Sequence, residues 1–179
     1  MKRAISKEDI KRIIELDLRT VTTYHSPYLS LGRDLFLLSY LSCGINLTDM
    51  ARIRYCDIFE GRLSYHRQKT GKLISFQLQP MALDIIAKYR KPEATPNDYV
   101  SPILDRKVHK TAIQIRDKVR KANKAANKAL HRIREKSGIP IDLTTYVARH
   151  SYATVLKRPE VSTAIISESL GHSSEKAGR

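Results

Sequence analysis

Thr145-Tyr146-Val147-Ala148-Arg149-His150-Ser151-Tyr152-Ala153-Thr154, followed further along by Leu170-Gly171-His172, is the stretch on which the reading of this chain turns. Thr144 or Thr145 suits the cap of a helix in which Ala148, Tyr152, Val155 and Leu156 face a core. That leaves Arg149 beside Tyr146 on the opposite side of the helix. A guanidinium presents a planar fork of donors, which matches two non-bridging phosphate oxygens better than an ammonium does. Taken alone, an Arg-His pair on a helix describes a solvated charged face equally well.

Working outward, charge is the informative bulk property. The chain has 179 residues, enough to bury a core of its own as one domain. Thirty-three Lys and Arg against eighteen Asp and Glu leave a formal charge of +15, which points to a polyanionic partner, with nucleic acid the leading one. A membrane surface would call for a basic amphipathic helix with bulky aromatic anchors, yet the sequence has no Trp and only three Phe. No apolar run is long enough to span a bilayer. Met1-Lys2-Arg3 is basic but has no apolar stretch behind it, against a secretory signal. Cys43 and Cys56 fit neither a disulfide framework nor a metal cluster and read as buried thiols in a reducing cytoplasm. The expected location is cytoplasmic, on the nucleoid.

Helical signals dominate. Ser6 caps a short amphipathic helix over 4–19 through Ile10, Ile13, Ile14 and Leu16. The stretch 20–30, with Pro27 inside it, reads as a connection. Leu35-Phe36-Leu37-Leu38-Ser39-Tyr40-Leu41 is apolar on nearly every side, the mark of a helix over 31–42 covered by neighbours all round and ended by Gly44. Asn46-Leu47-Thr48-Asp49 opens another helix with a cap and an acid three positions on.

Between Asp57 and Leu78 the period shifts to two. Leu63, Tyr65 and Arg67 share one face, Ile74, Phe76 and Leu78 another, and Lys69-Thr70-Gly71-Lys72 forms the turn of an antiparallel hairpin. Pro80 opens a helix that packs through Leu83, Ile86 and Ala87, and 91–102 is a loop. From about Lys107 to Lys136, Ile115, Val119, Ala122, Ala126, Ala129, Leu130 and Ile133 form one packed stripe. Basic residues, among them Lys121, Lys124, Lys128 and Arg132, fill most of the rest, with only Asp117 and Glu135 against them, so this helix is expected to track phosphates. Gly138-Ile139-Pro140 closes it. The fold class is mainly α with a small antiparallel β-sheet, α+β.

The order R-H-S-Y-A-T, then an aliphatic pair, then L-G-H, resembles the C-terminal signature of tyrosine recombinases, the phage-integrase family of DNA strand-transfer enzymes, and the whole looks similar to integrases of Bacteroides-type mobile elements. The resemblance runs from about Ser6 to the end and implies a tyrosine recombinase catalytic domain over 1–179, with the family's N-terminal DNA-gripping core-binding domain absent. It assigns Arg149 and His172 to the scissile phosphate, with His172 as a surface histidine after a helix-ending glycine the plainer alternative. It gives Lys69, on the K-T-G hairpin, the role of the mobile lysine that protonates the leaving 5′ oxygen; a solubilising turn lysine is the alternative. His150 follows the arginine as the family pattern has it, or is simply packed. Asp49 matches a supporting acid.

The sequence departs from the pattern in three places. The first active-site arginine would fall on Asn46, which cannot neutralise phosphate charge, so another cation fills the gap, Arg52 or Arg54 for example, or the site works with one fewer. The first position of H-x-x-R-H is Tyr146, a hydrogen-bond donor but a poor base, since a phenol gives up its proton near pH 10. The family's nucleophilic tyrosine is expected about nine residues after His172, and the chain stops at Arg179, so the fragment is expected to lack its nucleophile and to be inactive alone.

What the resemblance implies is site-specific recombination of double-stranded DNA through a 3′-phosphotyrosyl intermediate, using no cofactor or metal, in a tetramer of protomers. Metal-dependent nuclease chemistry would need clustered carboxylates, and no D-x-D or H-E-x-x-H spacing is present. A DNA-binding domain that kept the fold and lost the chemistry is the second rival.

Overall fold

Residues 4–22 and 27–156 are described by the computed structural model, the side chains of Val155 and Leu156 excepted. In chain order these are α1 (Lys7–Glu15), α2 (Pro27–Leu41), α3 (Leu47–Met50), β1 (Ile58–Phe59), β2 (Arg62–His66), β3 (Leu73–Gln77), α4 (Pro80–Lys88), α5 (Ala112–Ser137) and α6 (Thr145–Leu156). Short 3-10 turns at Leu18–Thr20 and Tyr55–Asp57 complete them. The class expected from the sequence is the class observed.

α2 is the element the others cover. Its Leu29, Leu35, Phe36, Leu37 and Leu38 are all buried because α4, α5 and α6 each pack on it. It starts at Pro27, earlier than the reading that placed Pro27 in a connection. A proline in the first turn costs no hydrogen bond, since that N–H has no intrahelical acceptor, and its fixed φ is already helical. α1 is shorter than its apolar spacing suggested: the backbone turns extended at Leu16, and Arg33 of α2 donates to the Leu16 carbonyl at 2.9 Å. Ile5 N–H donates to the buried Ser151 hydroxyl at 3.1 Å, which fastens the start of the described chain to α6.

α5 carries the stripe the sequence predicted. Val119, Ala126, Ala129, Leu130 and Ile133 are buried, and Ile115 and Ala122 partly so. A reciprocal cap opens it, Gln114 N–H to Thr111 Oγ1 and Thr111 N–H to Gln114 Oε1, and Gly138 ends it at φ 65. Its crossing with α2 is close: a Cβ on Gly32 would stand 2.7 Å from the Ala129 Cβ and 3.2 Å from the Ala126 carbonyl oxygen.

The sheet is three-stranded and antiparallel in the order β1-β2-β3, one strand more than the hairpin alone. Leu63 pairs Phe76 and Tyr65 pairs Ile74, with Leu63, Tyr65 and Ile74 buried on one face. α4 packs through Ala82, Ile85 and Ile86, with the expected Leu83 partly buried beside them; of the expected Leu83, Ile86 and Ala87 only Ala87 is exposed. The rotation of the face is set by where α2 lies: Lys88 and Tyr89, at the end of α4, both donate to the buried Asp34 of α2. Burial and that carboxylate push the Tyr89 phenol above its ordinary range. Cys56 is exposed, not buried, because it sits on the 3-10 turn outside the sheet, and Cys43 is half-buried. No helix among the described residues is long and apolar enough to cross a membrane.

Gly32→Ala should lower stability by about 1–2 kcal/mol in urea unfolding, the overpacking cost exceeding the gain in helix propensity. Adding Ala129→Gly should restore part of the loss; equal loss in both backgrounds would place the strain elsewhere.

Candidate active site

The site begins at the turn between α2 and α3. Cys43 and Gly44 both take left-handed backbone, φ 55 and 69, and Gly44 N–H closes back on the Ser39 carbonyl at 2.8 Å. Asn46 then caps α3: its Oδ1 accepts from Asp49 N–H at 2.9 Å, and its Nδ2 donates to Asp49 Oδ2 at 2.6 Å. The other Asp49 oxygen accepts from Gln68 N–H at 3.0 Å, so a carboxylate 3% exposed joins α3 to the β2–β3 hairpin.

Past β2 the chain closes a tight turn. Arg67 N–H donates to the Lys72 carbonyl and Gly71 N–H to the Arg67 carbonyl, with Gly71 at φ 67. Lys69 is exposed in that turn, one residue beyond the anchored Gln68. Arg67 is half-buried.

α6 is positioned by α5. Thr145 N–H donates to Asn127 Oδ1 at 2.9 Å and Thr145 Oγ1 to Asn123 Oδ1 at 2.7 Å, so two α5 asparagines serve the start of α6 in place of a local cap. One turn on, the half-buried Arg149 donates from Nη1 to the Gly44 carbonyl at 2.9 Å. Burial lowers its pKa most and the Arg67 charge next, while Tyr65, Tyr146 and Asp49 work the other way. A guanidinium stays protonated regardless. The physical content is that two like charges share a partly desolvated place, and an anion seated against both would relieve it.

Tyr146 is exposed and meets the His150 ring edge-on, centroids 4.4 Å apart at 81°. Burial, then the Asp49 carboxylate, pushes the Tyr65 phenol up, against Arg149 and Arg67. The Cys43 thiol is pushed up by burial, against a hydrogen bond with Tyr152.

A groove of about 410 Å³ opens beside Arg149, walled by α3, the first half of α5 and the start of α6. Asn46, Arg52, Arg116, Arg120, Tyr146 and Arg149 line it, and among the described residues no carboxylate does. Such a lining selects an anion.

The profile of the phage integrase family matches residues 3–177. The chain belongs to the phage integrase family. Solved structures of the same fold include XerA recombinase, 18% identical with a TM-score of 0.63 over 97% of this chain and 57% of that one. A lambda integrase tetramer bound to a Holliday junction is 15% identical, TM-score 0.60, over 98% of this chain and 48% of that one. The Tn1549 transposon integrase in complex with circular intermediate DNA is 12% identical, TM-score 0.51, over 98% and 59%. This chain thus spans between 48% and 59% of the length of these three. No curated protein sequence matches it.

Within this integrase-family fold, Arg149, Tyr146 and Asn46 line one groove, Asp49 is bonded to Asn46 and to the hairpin at Gln68, and Lys69 is not among the lining residues. His172 lies outside the described residues, as do Ser162, Ile165, Ile166, Leu170 and Gly171. Of the two arginines weighed for the position of Asn46, Arg52 lines the groove and donates to the Thr48 carbonyl at 2.8 Å. Arg54 sits over the Tyr99 ring at 5.8 Å, on a backbone bridge away from the groove.

Arg67, whose charge acts on Arg149, was not among the candidates the sequence offered. The signal was present: it is the arginine on the inward alternation of Leu63 and Tyr65, where an apolar residue belongs. Lys121, Lys128 and Arg132 lie on the flank of α5 that faces Tyr28 and the start of α2, and Lys124 is exposed. Arg116 and Arg120 hold the flank beside Arg149 instead.

Asp49→Ala should speed amide hydrogen exchange at Gln68 by about ten- to a hundredfold, the loss expected for a hydrogen bond to a charged acceptor. Unchanged exchange at Gln68 would mean that the hairpin is held without it.

Proposed function

We propose that this chain is the catalytic domain of a site-specific DNA recombinase. Its chemistry is the exchange of one phosphodiester bond: a tyrosine oxygen attacks phosphorus, the 5′ oxygen leaves with a proton, and a 5′-hydroxyl from another strand later reverses the step. Covalent exchange conserves the energy of the phosphodiester, so the two halves are nearly balanced.

Arg149 neutralises charge on the pentavalent phosphorus. Arg67 supplies the second positive charge that Asn46 does not, because the Asn46 side chain is engaged with Asp49 inside its own helix turn. Lys69 delivers the proton to the leaving oxygen and, in reverse, accepts it from the attacking hydroxyl. Tyr146 donates to a phosphate oxygen, His150 supports it edge-on, and His172 donates as the family resemblance implies. Double-stranded DNA is the substrate and further protomers the partners, in keeping with a lambda integrase tetramer on a Holliday junction. The observation that carries this reading is the arginine-lined groove at Arg149, beside the capped α3 turn to which Asp49 ties the Lys69 hairpin.

The rejoining half-reaction tests it without needing a protein nucleophile. A nicked duplex, of a sequence the chain selects from a random pool, is given a 3′-p-nitrophenyl phosphate facing a 5′-hydroxyl. Attack by the hydroxyl oxygen forms the phosphodiester, breaks the P–O aryl bond and releases p-nitrophenolate, read by its absorbance. The chain should accelerate this. Arg149→Lys should slow it about a hundred- to a thousandfold with duplex affinity nearly unchanged. Lys69→Ala should slow it about a hundredfold or more, with partial recovery as pH rises and hydroxide replaces the missing base. Duplex binding with no acceleration would establish the non-catalytic DNA-binding reading, which the occupied Asn46 side chain favours.

A further inference from the structure

The groove beside Arg149 is larger than one phosphate requires. At about 410 Å³ it holds the volume of on the order of a dozen waters. Arg149 accounts for part of the lining. The rest of its charge comes from Arg116 and Arg120, one turn apart on α5, and from Arg52, just after α3. None of these three has a role in the exchange described above.

Their present partner is modest. Arg116 Nε donates to Asp117 Oδ1 at 3.2 Å, and Arg120 Nη2 stands 3.9 Å from the same oxygen. The arginine side chains are 69% and 80% exposed, and Asp117 is not in the groove lining. A half-buried carboxylate held by two exposed arginines, one of them at 3.9 Å, is a weak partner, and both arginines can exchange it for an oxyanion that they fork onto. The opposite flank of α5 is built differently: there Lys121, Lys128 and Arg132 border clefts floored by Leu31, Ala125 and Ala129 beside Tyr28, apolar surface that a backbone phosphate does not seek.

We infer that Arg116 and Arg120, with Arg52, form a second phosphate site that holds the DNA-strand phosphate next to the one being exchanged. It rests on the recombinase reading and assigns a positioning role, not a chemical one. α5 therefore meets the strand by its Arg116–Arg120 flank, and Arg149 and the α5 pair register two successive phosphates of one strand. Because α5 also fixes the start of α6 through Asn123 and Asn127, the two phosphate holders share one rigid element.

The test is the Arg116→Gln/Arg120→Gln double variant of the chain, on the duplex selected above. Both side chains are on the surface of a capped helix, and Gln is a good helix former, so the melting temperature should stay within a few degrees. Duplex affinity should fall roughly tenfold, and the slope of log affinity against log salt should become shallower by about one phosphate's worth. The decisive measurement replaces single phosphodiesters by neutral methylphosphonates. At the position flanking the exchanged phosphate, the replacement should weaken wild-type binding and leave the double variant nearly indifferent. In the p-nitrophenyl assay the half-saturating duplex concentration should rise while the saturated rate stays within about threefold.

Full sensitivity of the double variant to that methylphosphonate would overturn the assignment. So would a larger loss from Lys128→Gln/Arg132→Gln than from Arg116→Gln/Arg120→Gln. Failure of the wild type to bind duplex DNA would overturn the recombinase reading itself, a result distinct from either.

Discussion

Two separated pieces of chain, the α3 turn and the β2–β3 hairpin, meet on the carboxylate of Asp49. One oxygen holds the side-chain amide of its own helix cap, and the other holds the backbone N–H of Gln68 at the mouth of the hairpin. A carboxylate this deeply buried is tolerated only when its lone pairs are met, and the acceptors here are met from two directions. Its cost in desolvation is thereby turned into a geometric constraint. The hairpin mouth cannot drift from α3 without stranding the charge, and α3 follows directly on the turn whose carbonyl receives Arg149.

From that junction the electrostatics follow. Arg67 and Arg149 carry like charge into a partly dry region, with Tyr65 and Asp49 as the softening influences within range. Among the described residues, one buried acid does not balance two guanidiniums and the further arginines of the groove. In the proposed exchange these donors would be in place before charge develops on the phosphorane. Asn46 adds no charge of its own and is occupied holding the junction together.

Much of this was legible in the order of residues. The stripe from Ile115 to Ile133, the alternation of Leu63 with Tyr65, the Asn46 cap and the Gly138 stop were read correctly because each is a local pattern enforced by backbone period or by a single φ. What escaped was decided by neighbours distant in sequence. Pro27 reads as a break until a helix is found to begin on it. Ile85 and Ala87 have equal claim to a packing face until Asp34 draws the end of α4 toward α2. The basic residues of α5 illustrate the limit best: periodicity identifies the packed stripe but leaves two charged flanks equivalent, and only the seating of Thr145 on Asn123 and Asn127 makes them different. Arg67 was visible as a charged residue on an apolar alternation, a local inconsistency of the sort that marks sites.

The resting contact of Arg149 is with a main-chain oxygen, that of Gly44. A peptide carbonyl is common to every residue, so drift in the identity of the surrounding side chains does not remove the acceptor; only a change in the path of the turn does. The two left-handed residues at 43 and 44 fix that path, and tolerance to mutation in this loop is therefore set by conformation, not by chemistry.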